Sequence, residues 1–154
     1  MKRLPLWLGC ATLAACSLNT PEPVNMPSDP ATETFASGLG IDISQMQKVA
    51  VGNDIVYFKD LSVGAGAQLT TTGDVVVTYA AFLRNGSTFD SGTSVAFSLG
   101  QTVVGFRYGM LGMNVGGERV IVVPSNLGYG PYSVPPVPPN STLIFDVRLE
   151  QILQ

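Results

Sequence analysis

The feature that most constrains this chain is the stretch from Val75 to Gly92, VVVTYAAFLRNGSTFDSG. Residues 75–83 are apolar and too rich in β-branched side chains to favour helix, so they read as a central strand. Asn85-Gly86 follows at once. Asn-Gly is the strongest short hairpin signal, because both central positions of a two-residue turn want positive φ. The chain then returns as STFDSG. A strand, a tight reversal and a second strand commit this part of the molecule to antiparallel sheet.

Further runs fit the same scheme. VAVGNDIVYFKDL, 49–61, has the β-branched and aromatic density of a strand. Gly64 and Gly66 mark a turn, VAFSL (95–99) a short strand, Gly116-Gly117 another turn, and ERVIVVP (118–124) another strand. The last strand begins at Thr142 and runs to Leu153. Ahead of it, five of the nine residues from Pro131 to Pro139 are proline. Proline cannot donate to a ladder, so this segment is a stiff loop. Only 102–112, with apolar residues at 103, 106, 110 and 111, has helical spacing. The expected fold is therefore α+β: a bent antiparallel sheet of five to six strands wrapped around one short helix.

The N-terminus reads as an address. Lys2 and Arg3 precede a short apolar run from Leu4 to Ala15, well below the roughly 20 residues that span a bilayer. The run ends Leu13-Ala14-Ala15-Cys16, which resembles the lipobox of bacterial lipoproteins. That resemblance implies cleavage before Cys16 and lipidation on it; Cys10 would leave too short an apolar run. Two or more acyl chains give lasting membrane attachment. Ser17 in the next position, where aspartate favours inner-membrane retention, points to the outer membrane, facing the periplasm. Residues 17–47, rich in Pro, Ser, Thr and Asn, read as a flexible tether, and 48–154 as the folded domain.

Composition narrows the chemistry. The 154 residues contain no histidine, which removes Ser-His-Asp and Cys-His catalysis and histidine metal sites. Both cysteines lie within the first 16 residues, so no disulfide framework or redox pair is available to the domain. With 8 basic and 11 acidic residues there is no basic stripe for nucleic acid.

Four stretches in order carry a family resemblance: VVVTYAAFLRNGSTFDSG (75–92), FSLGQTVVGF (97–106), MNVGGERVIVVPSNLGYG (113–130) and PPNSTLIFDVRL (138–149). Together they resemble the FK506-binding-protein (FKBP) type of peptidyl-prolyl cis-trans isomerase. The resemblance implies an apolar pocket between helix and sheet that takes a proline from another polypeptide, without cofactor or metal, and that accepts an FK506-like macrolide. It assigns Tyr79, Asp90 and Tyr129 to catalysis. Phe89, Val103, Phe106, Val137 and Phe145 would bind substrate, with Phe106 as floor, the Val103 backbone N–H as donor to a peptide carbonyl, and Val137 in the proline-rich lip. Phe106 stands where the family commonly has tryptophan. The segment 93–96 is short and lacks the arginine that often pairs with the aspartate. These departures keep a second reading open, an FKBP-fold binding or chaperone module of low activity.

Overall fold

The computed structural model describes residues 27–153. The signal segment 1–16, Cys16 and residues 17–26 lie outside the described residues.

Six antiparallel strands form one sheet: β1 (Gln47–Val51), β2 (Asp54–Ser62), β3 (Asp74–Leu83), β4 (Thr88–Ser98), β5 (Glu118–Val123) and β6 (Leu143–Leu153). Their spatial order is β1-β2-β5-β6-β3-β4. The expected single strand over 49–61 is instead two, divided at Gly52, whose φ of +64° lets the chain reverse where a side chain would be strained. The expected short strand at 95–99 joins STFDSG into one long β4. At the β3–β4 connection the Asn-Gly signal is right about the hairpin but not about the turn. Gly86 N–H bonds Leu83 O and Leu83 N–H bonds Ser87 O, both at 2.9 Å, and among these loop residues only Gly86 has positive φ. This is a three-residue loop with a glycine bulge, held by Asn85 Oδ1 accepting from Ser87 N–H at 2.9 Å.

The helix, α1, spans Val104–Met110, shorter than the expected 102–112. Seven residues do not hold a helix in water by themselves, so packing holds this one. Gly105 and Gly109 lie against β5: a Cβ at 105 would stand 2.2 Å from Val123 Cγ1, and one at 109 would stand 2.4 Å from Ile121 Cγ2. Glycine at these two positions lets helix and sheet approach closely. Arg119 fastens the far end. It is 4 % exposed. Its Nη1 donates to Gly109 O at 2.8 Å and to Leu111 O at 2.9 Å, capping the helix C-terminus. Its Nε meets Asp60 Oδ1 at 2.6 Å, and its guanidinium lies 4.2 Å from the centre of the Phe58 ring.

Alternate residues of the strands face opposite ways, and both faces are apolar. Val77, Ile121, Val123, Leu143 and Val147 bury against Phe106 and Met110 of α1 in the main core. Tyr57, Val122 and Ile144 face the other side and form a second cluster with Met46, Phe35, Leu39, Ile41 and Ile43. Residues 27–46 therefore do not hang free, and the tether reading of 17–47 does not hold for that part of it. Tyr57 OH donates to Asp29 Oδ1 at 3.0 Å, Thr142 Oγ1 to Glu33 Oε1 at 2.8 Å, and Ala36 N–H to Arg84 O at 2.8 Å. The physical reason is area: five apolar residues between 35 and 46 cover a sheet face that would otherwise be exposed to water.

An aromatic cavity between helix and sheet

Between α1, β3, β4 and the start of β6 lies a cavity of about 460 Å³. Its walls include Tyr79, Asp90, Phe97, Val103, Phe106, Tyr129 and Phe145. Each residue arrives by a local rule. Tyr79 is on the inner face of β3, two residues on from buried Val77. Phe106 is the buried residue in the middle of α1, facing the sheet with Met110 four residues on. Phe145 pairs with Ala81 across β3–β6, and the small alanine leaves room above it. Phe106 and Phe145 meet at 4.8 Å between ring centres with a tilt of 58°, and Tyr79 meets Phe97 at 5.3 Å and 59°.

The polar side chains on the wall are Asp90, the two tyrosines, Ser98, Gln101 and Thr102. Tyr79 OH donates to Asp90 Oδ2 at 2.7 Å, and Asp90 Oδ1 accepts Ser91 N–H at 2.9 Å. Burial, then the hydrogen bond to Asp90 and the nearby charge, push the Tyr79 hydroxyl up to about 12. Burial and the Asp90 charge also raise Tyr129 above the usual phenol value. Both hydroxyls therefore stay protonated at neutral pH. Among the described residues Tyr129 OH makes no hydrogen bond, and neither does the Val103 backbone N–H at the mouth of α1. Tyr129 itself is fixed by its loop: Gly128 and Gly130 N–H both bond Ser125 O, at 2.9 and 2.8 Å.

Two expected pocket residues are placed elsewhere. Phe89 stands behind the wall, edge-on to Phe145 at 6.1 Å and 79°. Val137 is 2 % exposed and belongs to the core rather than to the cavity lining. The lip folds on itself, with Val134 and Val137 exchanging backbone hydrogen bonds at 3.1 and 2.7 Å. That turn drives Val137 inward as a plug and leaves Tyr132 72 % exposed. Phe97 is the wall residue that the sequence reading missed. Among the described residues Asp90 has no ion-pair partner. A second cleft, about 330 Å³, is lined by Glu33, Arg84, Asn85 and Thr142 and has no aromatic wall.

An open antiparallel sheet packed on one helix, with an aromatic hollow between them, is an α+β fold with room for a small apolar group. The family follows from direct comparison. Residues 66–150 match the model of the FKBP-type peptidyl-prolyl cis-trans isomerases, and the chain belongs to that family. It is 42% identical over 102 residues to FK506-binding protein 4 of Neurospora crassa, covering 63% of this chain and 22% of that protein. It is 39% identical over 99 residues to a peptidyl-prolyl cis-trans isomerase of Saccharomyces cerevisiae, covering 61% and 24%. The chain thus spans about a quarter or less of the length of these curated relatives. Among solved structures it is similar to a peptidyl-prolyl cis-trans isomerase from Pseudomonas syringae pv. tomato (TM-score 0.65, 26% identity, 71% of this chain and 81% of that one). It is also similar to FkpA from Escherichia coli (TM-score 0.61, 32% identity, 68% and 51%).

Proposed function

We propose that this chain catalyses cis–trans isomerisation of X–Pro bonds in exported, unfolded or partly folded polypeptides, held on the membrane by lipid on Cys16, on the periplasmic side of the outer membrane. The observation that carries the catalytic part is the pairing of one aromatic-walled cavity with two unengaged donors, Tyr129 OH and Val103 N–H.

The chemistry suits those groups. An X–Pro bond rotates over a barrier of about 18–20 kcal/mol, set by amide resonance. In the transition state the amide is twisted, resonance is lost, and the carbonyl is less polar than in the planar form. A water-poor cavity disfavours the planar amide relative to the twisted one, and only such a difference speeds the step. A thousandfold acceleration asks for about 4 kcal/mol of that difference. Phe106 is the floor under the proline ring, with Tyr79, Phe97 and Phe145 as walls. Tyr129 OH and Val103 N–H hold peptide carbonyls. Asp90 orients Tyr79 and directs negative charge at the cavity. No step requires a nucleophile, a base or a metal.

The test is exchange in a proline peptide with and without purified domain. Catalysed exchange, blocked by an FK506-like macrolide, is expected; exchange at the uncatalysed rate sinks the enzymatic reading. A second reading, a binding or chaperone module, draws support from the smaller Phe106 floor and from Asp90 without an ion-pair partner among the described residues. It predicts that the peptide binds while its exchange stays slow. Membrane attachment is tested separately: Cys16→Ser should move the full-length protein from the membrane to the soluble fraction, and unchanged fractionation would remove the anchor from the account.

A further inference from the structure

Strands β4 and β6 both pair with β3, and each carries one extra residue at the same level. In β4, Thr93 and Ser94 together face Thr78, between the pairs Tyr79–Gly92 and Val77–Val95. In β6 the extra residue is Glu150, between the pairs Val77–Leu149 and Val76–Gln151. The two bulges are tied together across β3. Ser94 Oγ donates to Glu150 Oε2 at 2.8 Å, and Thr78 Oγ1 donates to Glu150 Oε1 at 2.6 Å. Thr78 Oγ1 also accepts from Ser94 N–H at 3.0 Å. Ser94 has a φ of +51°, a left-handed conformation that a side chain disfavours and that surrounding contacts must hold.

The consequence lies on the opposite face. Side chains alternate along a strand, so Asp90 and Phe97, seven positions apart, would point to opposite sides of a regular β4. Both line the cavity. The extra residue at 93–94 shifts the alternation and brings them to one side. The same bend lays Gly92 on the Tyr79 ring, where a Cβ would stand 2.9 Å from Cε1. Glu150 itself reaches nothing in the cavity; it lines a shallow cleft on the other face with Thr78 and Arg148.

We propose that Glu150 is a positioning residue: by pinning Ser94 in its left-handed bulge, it turns Asp90 and the Tyr79 hydroxyl toward the cavity that Phe97 walls. The rate part of the test rests on the isomerase reading above; the spectroscopic part does not. Wild type, Glu150→Ala, Ser94→Gly and the double variant are compared for peptide exchange, and by NMR for the proximity of the Tyr79 ring to the Gly92 α-protons. Glu150→Ala should lower kcat/KM by about tenfold or more, as displaced site groups do, and should weaken the 79–92 cross-peaks. Ser94→Gly alone should keep both. Glycine takes positive φ without a pin, so the double variant should regain rate and cross-peaks together. Unchanged cross-peaks in Glu150→Ala, or a double variant as impaired as Glu150→Ala, overturns the proposal. If the wild type does not catalyse exchange, the isomerase reading fails and the cross-peaks alone decide this one. If Glu150→Ala does not fold, Glu150→Gln, which keeps one of the two acceptors, should give a partial loss of both signals; no loss counts against the pin.

Discussion

Replacing Gly105 by alanine sets two effects against each other. By helix propensity the change should stabilise α1 by about 1 kcal/mol. By packing it should do the reverse. The new Cβ would stand 2.2 Å from Val123 Cγ1, 2.9 Å from Cγ2 and 3.0 Å from Cβ, so its nearest contact is about 1.2 Å short of the 3.4 Å where ordinary van der Waals contact begins. Val123 cannot rotate away, because all three of its branching atoms are close and β5 lies between β2 and β6 in the sheet. Overpacking of this kind costs about 1–3 kcal/mol, and this geometry belongs at the upper end. The net expectation is a loss of about 2 kcal/mol, which for a domain of this size lowers Tm by roughly 8 °C. Val123→Ala in the same chain removes the obstructing methyls, so the two changes together should cost less than their sum. Thermal and urea unfolding of the two single variants and the double variant measure this. Because α1 carries Phe106 and is preceded directly by Val103, Gly105→Ala should also slow peptide exchange on the proposed function. A Gly105→Ala variant with a raised Tm would refute the claim that close approach, rather than helix propensity, sets this position.

Arg119→Ala should cost about 3 kcal/mol in urea unfolding, since it strands the carbonyls of Gly109 and Leu111 and leaves the partly buried Asp60 without its partner. Removing residues 27–46 should destabilise the domain by several kcal/mol and expose the Tyr57–Val122–Ile144 face to a hydrophobic dye; an unchanged unfolding midpoint would return that segment to the role of a spacer. The Tyr79 hydroxyl is raised to about 12 from an ordinary 10, so its contribution to stability is full below pH 10 and is lost as pH climbs toward 12. Urea midpoints across that range should fall less steeply in Tyr79→Phe than in wild type.

The sheet, the single helix and most of the cavity wall were legible because their signals are local. β-branched runs, Gly and Pro boundaries and one 3.6-residue period needed no tertiary knowledge, and the resemblance supplied Tyr79, Asp90, Val103, Phe106, Tyr129 and Phe145 for the wall. What escaped depends on register. Phe97 was hidden because strict alternation from Asp90 sends it to the wrong face, and a one-residue bulge leaves no mark in composition. Val137 is placed in the lip by the family resemblance alone, and the turn that buries it is made by backbone bonds that leave no mark in the sequence. The docking of residues 35–46 had a readable signal: Val120-Ile121-Val122-Val123 and Leu143-Ile144-Phe145 are apolar at every position, which means both faces of the sheet need cover. The low apolar content just before that segment outweighed it.

If the clients are unfolded chains, as proposed above, the interrupted course of β4 has a consequence. β4 is a sheet margin beside the cavity, where a visiting polypeptide could align and zip on by main-chain bonding. Its ladder to β3 breaks step twice, near Ser94 and near Phe89, so it offers no long straight template. On the proposed function, a visitor held at its proline would find no long edge to pair with and would leave without seeding aggregation.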